Sequence, residues 1–184
     1  MQQLASSAQL RASIARWALF TVPLCVGLGF ATVRAIGSIT DNPWFAPLHK
    51  PALYPPPLAF PVVWSILYVM MGLSLALLAA ARGARGRGRA IIAFAVQLAL
   101  NLCWSPVFFL GHQLTIGLAI IAALFIALAL TIVLAWRVRR GAALLLLPYL
   151  VWVAFAGLLN WQVLHLNPAA DGAPASGAVV RIEL

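Results

Sequence analysis

Long apolar runs, separated by short clusters of basic residues, form the main pattern of this chain. Five of these runs approach the length of about 20 helical residues that is needed to cross the hydrocarbon core of a bilayer. They lie at residues 17–33, 62–81, 90–110, 114–136 and 142–164. No charged residue occurs between Arg89 and Arg137, a stretch that accommodates two spans with a break at residues 111–113. The pattern predicts an all-α membrane protein, built as a bundle of five transmembrane helices.

Composition and charge favour the same class. Hydrophobic residues make up 64% of the chain, charged residues only 8%, and the mean hydropathy is +1.01. Such a chain has too little polar surface to cover a soluble globule. A formal net charge of +9 raises the question of a nucleic-acid partner. The basic residues, however, stand at the ends of the apolar runs, where they meet lipid headgroups. We therefore predict the lipid bilayer as a partner and no nucleic acid.

The distribution of the basic residues predicts the orientation. If the spans alternate in direction, nine of the twelve fall on one side of the membrane: Arg11, Arg16, Arg82, Arg85, Arg87, Arg89, Arg137, Arg139 and Arg140. The other side has three, Arg34, Lys50 and Arg181. The positive-inside rule then places the amino terminus in the cytoplasm and the carboxyl terminus outside. This bias favours a cytoplasmic-type membrane, and the outer membrane stays open as an alternative.

A proline-rich loop joins the first two spans. Residues 42–68 contain seven of the twelve prolines in the chain. Proline fixes φ and lacks an N–H, so a regular helix is excluded here, and we predict a stiff lid over residues 41–61. On either side of the transmembrane domain, residues 17–166, we predict an N-terminal cytoplasmic extension, 1–16, and a flexible tail, 167–184.

Two spans present polar and aromatic residues on a single helical face. In the third span this face is formed by Gln97, Asn101, Trp104, Ser105 and Phe108. In the fifth span it is formed by Tyr149, Trp152, Ala156, Asn160 and Val163. Amide side chains are unfavourable in lipid, so we predict that both faces line the bundle interior, for interhelical hydrogen bonds or for a ligand.

The third span has a second pattern on its opposite side. Small residues repeat there every four positions, at Ala95, Ala99 and Cys103. This spacing lets two helices approach closely. We therefore predict a homodimer that forms through this face.

Three tryptophans are expected to converge beneath the lid. Trp104 and Trp152 share faces with amides, and Trp64 follows the lid by a few residues. An apolar cavity with aromatic walls suits a flat, hydrophobic ligand. Spans two to five contain no Asp, Glu, Lys or Arg, and no hydrolytic or phosphate-binding motif is present. We predict no catalytic residue, no metal site and no required cofactor.

These residues resemble the TspO family, also called tryptophan-rich sensory proteins, translocator proteins or peripheral-type benzodiazepine receptors. The resemblance runs from about Trp44 to Asn167. In the loop and the second span its motifs appear as Trp44-Phe45, Leu48, Lys50-Pro51, Pro55-Pro56, Phe60-Pro61 and Trp64 to Tyr68. In the third and fifth spans they appear as Gln97-Leu98, Asn101, Trp104, Pro106, Phe108-Phe109, Pro148-Tyr149-Leu150, Trp152, Phe155-Ala156 and Leu159-Asn160.

The resemblance implies a five-helix bundle, usually a homodimer, with a pocket under the first loop. In the family this pocket binds porphyrins and, in some members, cholesterol or synthetic ligands, so porphyrin or haem is a possible ligand here. The family pocket residues correspond to Trp64, Asn101, Trp104, Trp152 and Ala156. The chain departs from the pattern at Leu53, where a tryptophan is usual, and one aromatic wall of the lid is expected to be absent.

The predicted site has two parts. The ligand-binding residues are Trp64, Tyr68, Asn101, Trp104, Tyr149, Trp152, Ala156 and Asn160. The lid and mouth are formed by Trp44, His49, Lys50 and Leu53, with Lys50 or His49 near ligand carboxylates. The predicted function is a membrane receptor or transporter-like protein that binds porphyrins, with a sensory or stress-regulatory role. Two alternatives stay open, a light-dependent porphyrin-degrading enzyme that uses the pocket tryptophans and an interaction scaffold without transport.

Overall fold

Five helices form the protein in a computed structural model that describes residues 7–39 and 41–174. They are α1 (Ser7–Ile36), α2 (Ala59–Ala80), α3 (Arg87–Phe109), α4 (Leu114–Val138) and α5 (Arg140–Leu166), followed by a 3₁₀ helix at Pro168–Ala170. Each of the five is long and apolar enough to cross a membrane, and no strand occurs in the described ranges. The predicted all-α, five-helix membrane fold is confirmed.

The bounds of α2 to α5 lie within three residues of the predicted spans. Helix α1 differs, because it begins at Ser7 and not at residue 17. The stretch before Arg16 contains Ala, Leu, Gln and Arg but neither Gly nor Pro, so it favours a helix. Most of the predicted N-terminal extension is therefore the first part of α1, and its residues 1–6 lie outside the described residues.

Successive helices run antiparallel around an apolar core. At the middle of the bundle, Met71, Phe94, Leu128 and Leu146 come from four different helices and are almost completely buried. The outer surface is apolar as well, since side chains such as Val151 are 71% exposed. An exposed apolar surface that surrounds the whole bundle is the surface that faces lipid in a membrane protein.

Helices α1 and α2 approach closely at two glycines. The Thr21 hydroxyl donates a hydrogen bond to the carbonyl oxygen of Gly72 at 2.7 Å. A Cβ added to Gly72 would lie 2.5 Å from the Cα of Val22. A Cβ added to Gly29 would lie 2.2 Å from a ring carbon of Tyr68. Glycine is required at both positions because any side chain would enter the space of the neighbouring helix.

The lid loop, residues 41–61, folds into turns that its own side chains hold together. The Asn42 side-chain oxygen accepts the backbone N–H groups of Trp44 and Phe45 at 3.1 and 2.8 Å. The Lys50 ammonium donates to three backbone carbonyls within the loop, including that of Phe45. The loop is therefore a folded cap over one end of the bundle.

Candidate ligand-binding cavity

A cavity of about 130 Å³ lies beneath the lid loop, and all five helices contribute to its wall. Its lining is mostly aromatic and aliphatic, and none of the described residues that line it is charged. Residues that matter for its shape are Gly29, Thr32 and Ile36 of α1, Phe45 and Tyr54 of the lid loop, Trp64 and Tyr68 of α2, Asn101 and Trp104 of α3, and Trp152, Ala156 and Asn160 of α5. The site is thus suited to a ligand that is itself largely apolar.

Three tryptophans form the walls of this cavity. The rings of Trp64 and Trp152 are nearly perpendicular, at 88°, with centroids 6.4 Å apart. Phe60 meets Trp152 edge to face at 6.0 Å, and Trp104 packs on Phe108 at 4.9 Å. Edge-to-face and offset pairs are the favourable arrangements for aromatic rings, so these contacts hold the indoles in place without a ligand.

Two asparagines add polar atoms to the cavity wall. The Tyr68 hydroxyl donates to the side-chain oxygen of Asn101 at 2.7 Å. The Trp104 indole N–H donates to the side-chain oxygen of Asn160 at 3.3 Å, and the Asn160 amide donates to the Leu114 carbonyl at 3.0 Å. The two asparagines therefore make interhelical hydrogen bonds and line the cavity at the same time, so these two roles do not exclude each other.

Four residues have buried side-chain polar atoms with no hydrogen-bond partner among the described residues. They are Gln97, with both amide atoms, Tyr149, with its hydroxyl, Trp152, with its indole N–H, and Gln162, with its side-chain oxygen. Gln97 lies one turn below Asn101 and does not line the cavity. Trp152 does line it, so its donor is available to an acceptor atom on a ligand. An unpaired buried donor is unfavourable by about 1 to 3 kcal/mol, and a ligand acceptor would remove that penalty.

The structure brings seven of the eight predicted ligand-binding residues together in the cavity wall, namely Trp64, Tyr68, Asn101, Trp104, Trp152, Ala156 and Asn160. Tyr149 is the exception. Its side chain is fully buried behind Trp64, with the ring centroids 6.1 Å apart. Tyr149 therefore supports a cavity residue and does not line the cavity itself, which corrects the prediction.

None of the four predicted lid and mouth residues lines the cavity. Trp44 is buried and stacks on His112, with the ring centroids 4.7 Å apart. The Lys50 ammonium is held by carbonyls of the loop, and partial burial lowers the pKa of this group. His49 is exposed, and Leu53 is 58% exposed. Leu53 does not line the cavity, and the effect of this departure from the family pattern stays a prediction.

Sequence reasoning missed the aromatic residues that the lid loop does contribute. Phe45, Tyr54 and Phe60 line the cavity and form a continuous series, with centroids 6.2 and 5.3 Å apart along it. Their aromatic side chains, in a loop predicted to cover an aromatic cavity, were the signal that could have identified them. The α1 residues Gly29 and Thr32 were also missed, because the predicted first span, residues 17–33, has only two threonines as polar residues and so no polar face to indicate which residues point inward.

The segment after α5 binds the lid loop, and we call residues 167–173 the C-terminal strap. The Asn167 side chain accepts the backbone N–H of His49 at 2.8 Å and donates to its carbonyl at 3.0 Å. The Trp44 indole donates to the carbonyl of Ala170 at 3.2 Å. The prediction of a flexible tail is therefore wrong for this segment, and the remainder of the tail from residue 175 lies outside the described residues.

Asp171 of the strap caps the amino end of α4. One carboxylate oxygen accepts the backbone N–H groups of Leu114 and Thr115 at 2.6 and 3.2 Å, and the Thr115 hydroxyl donates to the other. These N–H groups have no partner within the helix. Burial raises the pKa of Asp171, but the hydrogen bonds from Thr115 and Leu114 outweigh it and hold the pKa below its ordinary value.

Replacing Asp171 by alanine is expected to lower the free energy of unfolding by about 1 kcal/mol. Because the pKa is depressed in the folded state, this contribution is complete above the unfolded value of about 3.9. It is lost as the pH falls through the folded pKa. Unfolding midpoints in detergent at pH 6 and at pH 3 should therefore show a clear difference between wild type and Asp171→Ala that shrinks in acid.

Asp41 provides the matched control for this experiment. Among the described residues, its carboxylate bonds within its own turn, accepting from the Ser38 hydroxyl at 2.7 Å. Asp41→Ala should change the midpoint little at either pH. A difference between wild type and Asp171→Ala that is equal at pH 6 and pH 3 would show that the ionised carboxylate is not what stabilises the helix end.

The fold and the cavity together define an integral, multi-pass membrane protein with an aromatic cavity under a folded lid. The profile of the TspO/MBR family matches residues 15–166. The chain therefore belongs to the TspO/MBR family, and the resemblance seen in the sequence is confirmed.

Named relatives in this family come from distant organisms. Tryptophan-rich protein TspO from Chlorobaculum tepidum is 40% identical over 154 residues, which cover 82% of this chain and 98% of that protein. Protein CrtK from Rhodobacter capsulatus is 38% identical, with 75% of this chain and 88% of that protein covered. The translocator protein of Homo sapiens is 38% identical, with 79% and 92% covered. This chain therefore matches these relatives over nearly their whole length.

Proposed function

We propose that this protein is a membrane receptor or transporter-like protein that binds porphyrins or similar flat, hydrophobic ligands in the cavity under the lid loop. The observation that supports this most is the wall formed by Trp64, Trp104 and Trp152, together with the unpaired indole N–H of Trp152. A macrocycle offers a large π surface to the indoles and nitrogen or oxygen acceptors to the free donor. The role is sensory or stress-regulatory in this proposal.

The size of the cavity requires the lid to move when such a ligand binds. A volume of about 130 Å³ is below the roughly 300 to 1,000 Å³ that is typical of pockets for drug-sized ligands. The cavity at this volume is too small for a porphyrin. Ligand entry displaces the lid loop, whose contacts with the strap through His49 and Trp44 are hydrogen bonds that can form again.

The charged part of the ligand stays at the mouth in this arrangement. No charged residue is found among the described residues that line the cavity, so these residues offer the propionates of a porphyrin no counter-ion. Carboxylates buried without a partner are strongly unfavourable. The macrocycle therefore enters with its apolar edge first, and the propionates stay at the level of the headgroups and water.

Replacing the three cavity tryptophans together, Trp64→Phe, Trp104→Phe and Trp152→Phe, is expected to weaken protoporphyrin IX binding about tenfold. Phenylalanine keeps a ring but loses contact area and the indole donor, roughly 0.5 kcal/mol or more for each substitution. The change of the porphyrin Soret absorbance on titration measures this directly, and it does not depend on the tryptophans as reporters.

The matched control removes the same number of indoles away from the cavity. The variant Trp17→Phe, Trp136→Phe and Trp161→Phe changes no residue of the cavity wall and should bind like wild type. Equal affinity in the cavity variant and in wild type would refute binding on these tryptophans. A porphyrin flux assay in proteoliposomes then separates transport from sensing, and product analysis under illumination tests the degradation alternative.

The proposal includes a homodimer and an orientation. The predicted contact residues Ala95, Ala99 and Cys103 are all exposed on α3, so this face is unoccupied in the single chain. Small residues at this spacing permit a second helix to pack closely. With the amino terminus in the cytoplasm, the lid loop and the strap stand on the outer side, where a ligand arrives from outside the cell or from the periplasm.

A further inference from the structure

A second cavity lies at the opposite end of the bundle, between α1 and the loop that joins α2 to α3. It is lined by Ser13, Arg16, Trp17 and Phe20 of α1 and by Arg82 of the loop, and we call it the basic cavity. It shares no residue with the cavity under the lid. Two guanidinium groups from different parts of the chain thus border one space.

The two arginines have no counter-ion within the described part of the protein. Neither guanidinium group forms a hydrogen bond or an ion pair there, although the backbone N–H of Arg82 donates to the Ala80 carbonyl. The described acids, Asp41 and Asp171, lie at the other end of the bundle and are bound to Ser38 and to the start of α4. Arg87 of the same loop region differs, since it donates to two carbonyls at the end of α2. Both guanidinium groups are exposed and unpaired, so both are available to an anion that binds between them.

The position along α1 places this cavity at the membrane surface. Helix α1 has 30 residues, more than the roughly 20 that cross the hydrocarbon core, so its first turns extend into the headgroup region. Trp17 marks this boundary, because indoles concentrate at the interface. Phe20 follows with 62% of its surface exposed, and Leu24 with 39%. The site thus has cations at headgroup level and an apolar surface directly below them.

We propose that the basic cavity binds the phosphate of an anionic phospholipid. Arg16 and Arg82 contact the phosphodiester, the Ser13 hydroxyl offers a further donor, and an acyl chain runs along Trp17 and Phe20. The guanidinium group suits this role because its planar set of N–H donors matches phosphate oxygens in pairs. A bound lipid contacts both α1 and the α2–α3 loop, which are far apart in the sequence.

A zwitterionic lipid has the same phosphate but also its own cation. Its headgroup cation competes with the arginines for the phosphate, so phosphatidylcholine binds less tightly than phosphatidylglycerol. Each basic residue near a lipid surface strengthens the attraction to anionic lipid several-fold. Two arginines therefore give a preference of about tenfold or more for the anionic lipid.

The test counts bound lipid on the intact protein. Full-length protein in dodecyl maltoside is titrated with dioleoyl phosphatidylglycerol or dioleoyl phosphatidylcholine, and native mass spectrometry records each bound lipid. Wild type should bind one phosphatidylglycerol about tenfold more tightly than phosphatidylcholine. The Arg16→Gln, Arg82→Gln variant should lose this preference, whereas Arg16→Lys, Arg82→Lys should keep part of it.

The control removes the same charge from the same end of the bundle. Arg137→Gln, Arg140→Gln changes two exposed arginines outside the basic cavity and should leave the preference intact. If this control loses the preference for phosphatidylglycerol equally, the whole basic end attracts the lipid and there is no defined site. If the Arg16→Gln, Arg82→Gln variant keeps the preference, the proposed site is overturned directly. Displacement of the lipid by millimolar inorganic phosphate would assign the cavity to a soluble phosphate and overturn the lipid assignment.

Discussion

Gly72→Ala is expected to lower the free energy of unfolding by about 3 kcal/mol, the upper end of the range for overpacking a helix contact. The added methyl group would lie 2.5 Å from the Cα of Val22 and 2.9 Å from the carbonyl oxygen of Thr21. Both atoms belong to the backbone of α1, so no rotamer change relieves the contact. The two helices must separate, and the bond from the Thr21 hydroxyl to the Gly72 carbonyl at 2.7 Å is lost.

The direction of the change in stability tests whether α1 and α2 are in close contact at Gly72. Alanine favours a helix over glycine by about 1 kcal/mol, so a glycine without close neighbours should become more stable on substitution. Gly27 of α1 is such a position, because a Cβ there meets no atom within 4 Å. Unfolding midpoints in mixed micelles should therefore rise or stay constant for Gly27→Ala and fall for Gly72→Ala. A Gly72→Ala protein as stable as wild type would show that α1 and α2 do not cross at this distance.

The helices and much of the cavity could be predicted because both depend on local patterns. A transmembrane helix is defined by its own length of apolar residues, so α2 to α5 follow from the sequence. Amides are unfavourable in lipid, and for this reason Asn101 and Asn160 identify the inward faces of α3 and α5. Tyr149 shares the face of Trp152, but it lies one turn deeper in the bundle, behind Trp64. Helical periodicity predicts which face of a helix points inward, but it does not predict how far along the helix the cavity extends.

The strap and the lining from α1 could not be predicted, because they depend on contacts between distant parts of the chain. Asp171 bonds to residues that lie 57 and 56 positions earlier, and its neighbours in sequence have the composition of a linker. In the lid loop, proline excluded a helix, but which of its side chains line the cavity, such as Phe45 and not Leu53, depends on how the loop folds over the bundle. The predicted first span, residues 17–33, has no polar face, so the role of Gly29 follows from the contact of α1 with Tyr68 of α2.

Gly29→Ala is expected to weaken porphyrin binding about a hundredfold, because it removes space from the cavity where Gly29 contacts Tyr68. The added Cβ would lie 2.2, 2.5 and 2.6 Å from three ring atoms of Tyr68. The ring, which lines the cavity, has to move into it and to give up the 2.7 Å hydrogen bond to Asn101. A clash of this size is worth about 1 to 3 kcal/mol. Soret titration of the variant beside Gly27→Ala, on the same helix, measures the loss.

Two further variants distinguish the lost space from the lost hydrogen bond. Tyr68→Phe removes the hydroxyl and leaves the ring in place, so it should change porphyrin affinity by less than about tenfold. Gly29→Ala combined with Tyr68→Leu removes the ring atoms that clash and should recover much of the affinity. If Gly29→Ala binds porphyrin like wild type, the contact between Gly29 and Tyr68 does not limit the space available to the ligand, and the prediction is refuted. If the double variant shows no recovery, the ring of Tyr68 is not what blocks the ligand, and the tight contact between α1 and α2 does not define the shape of the site.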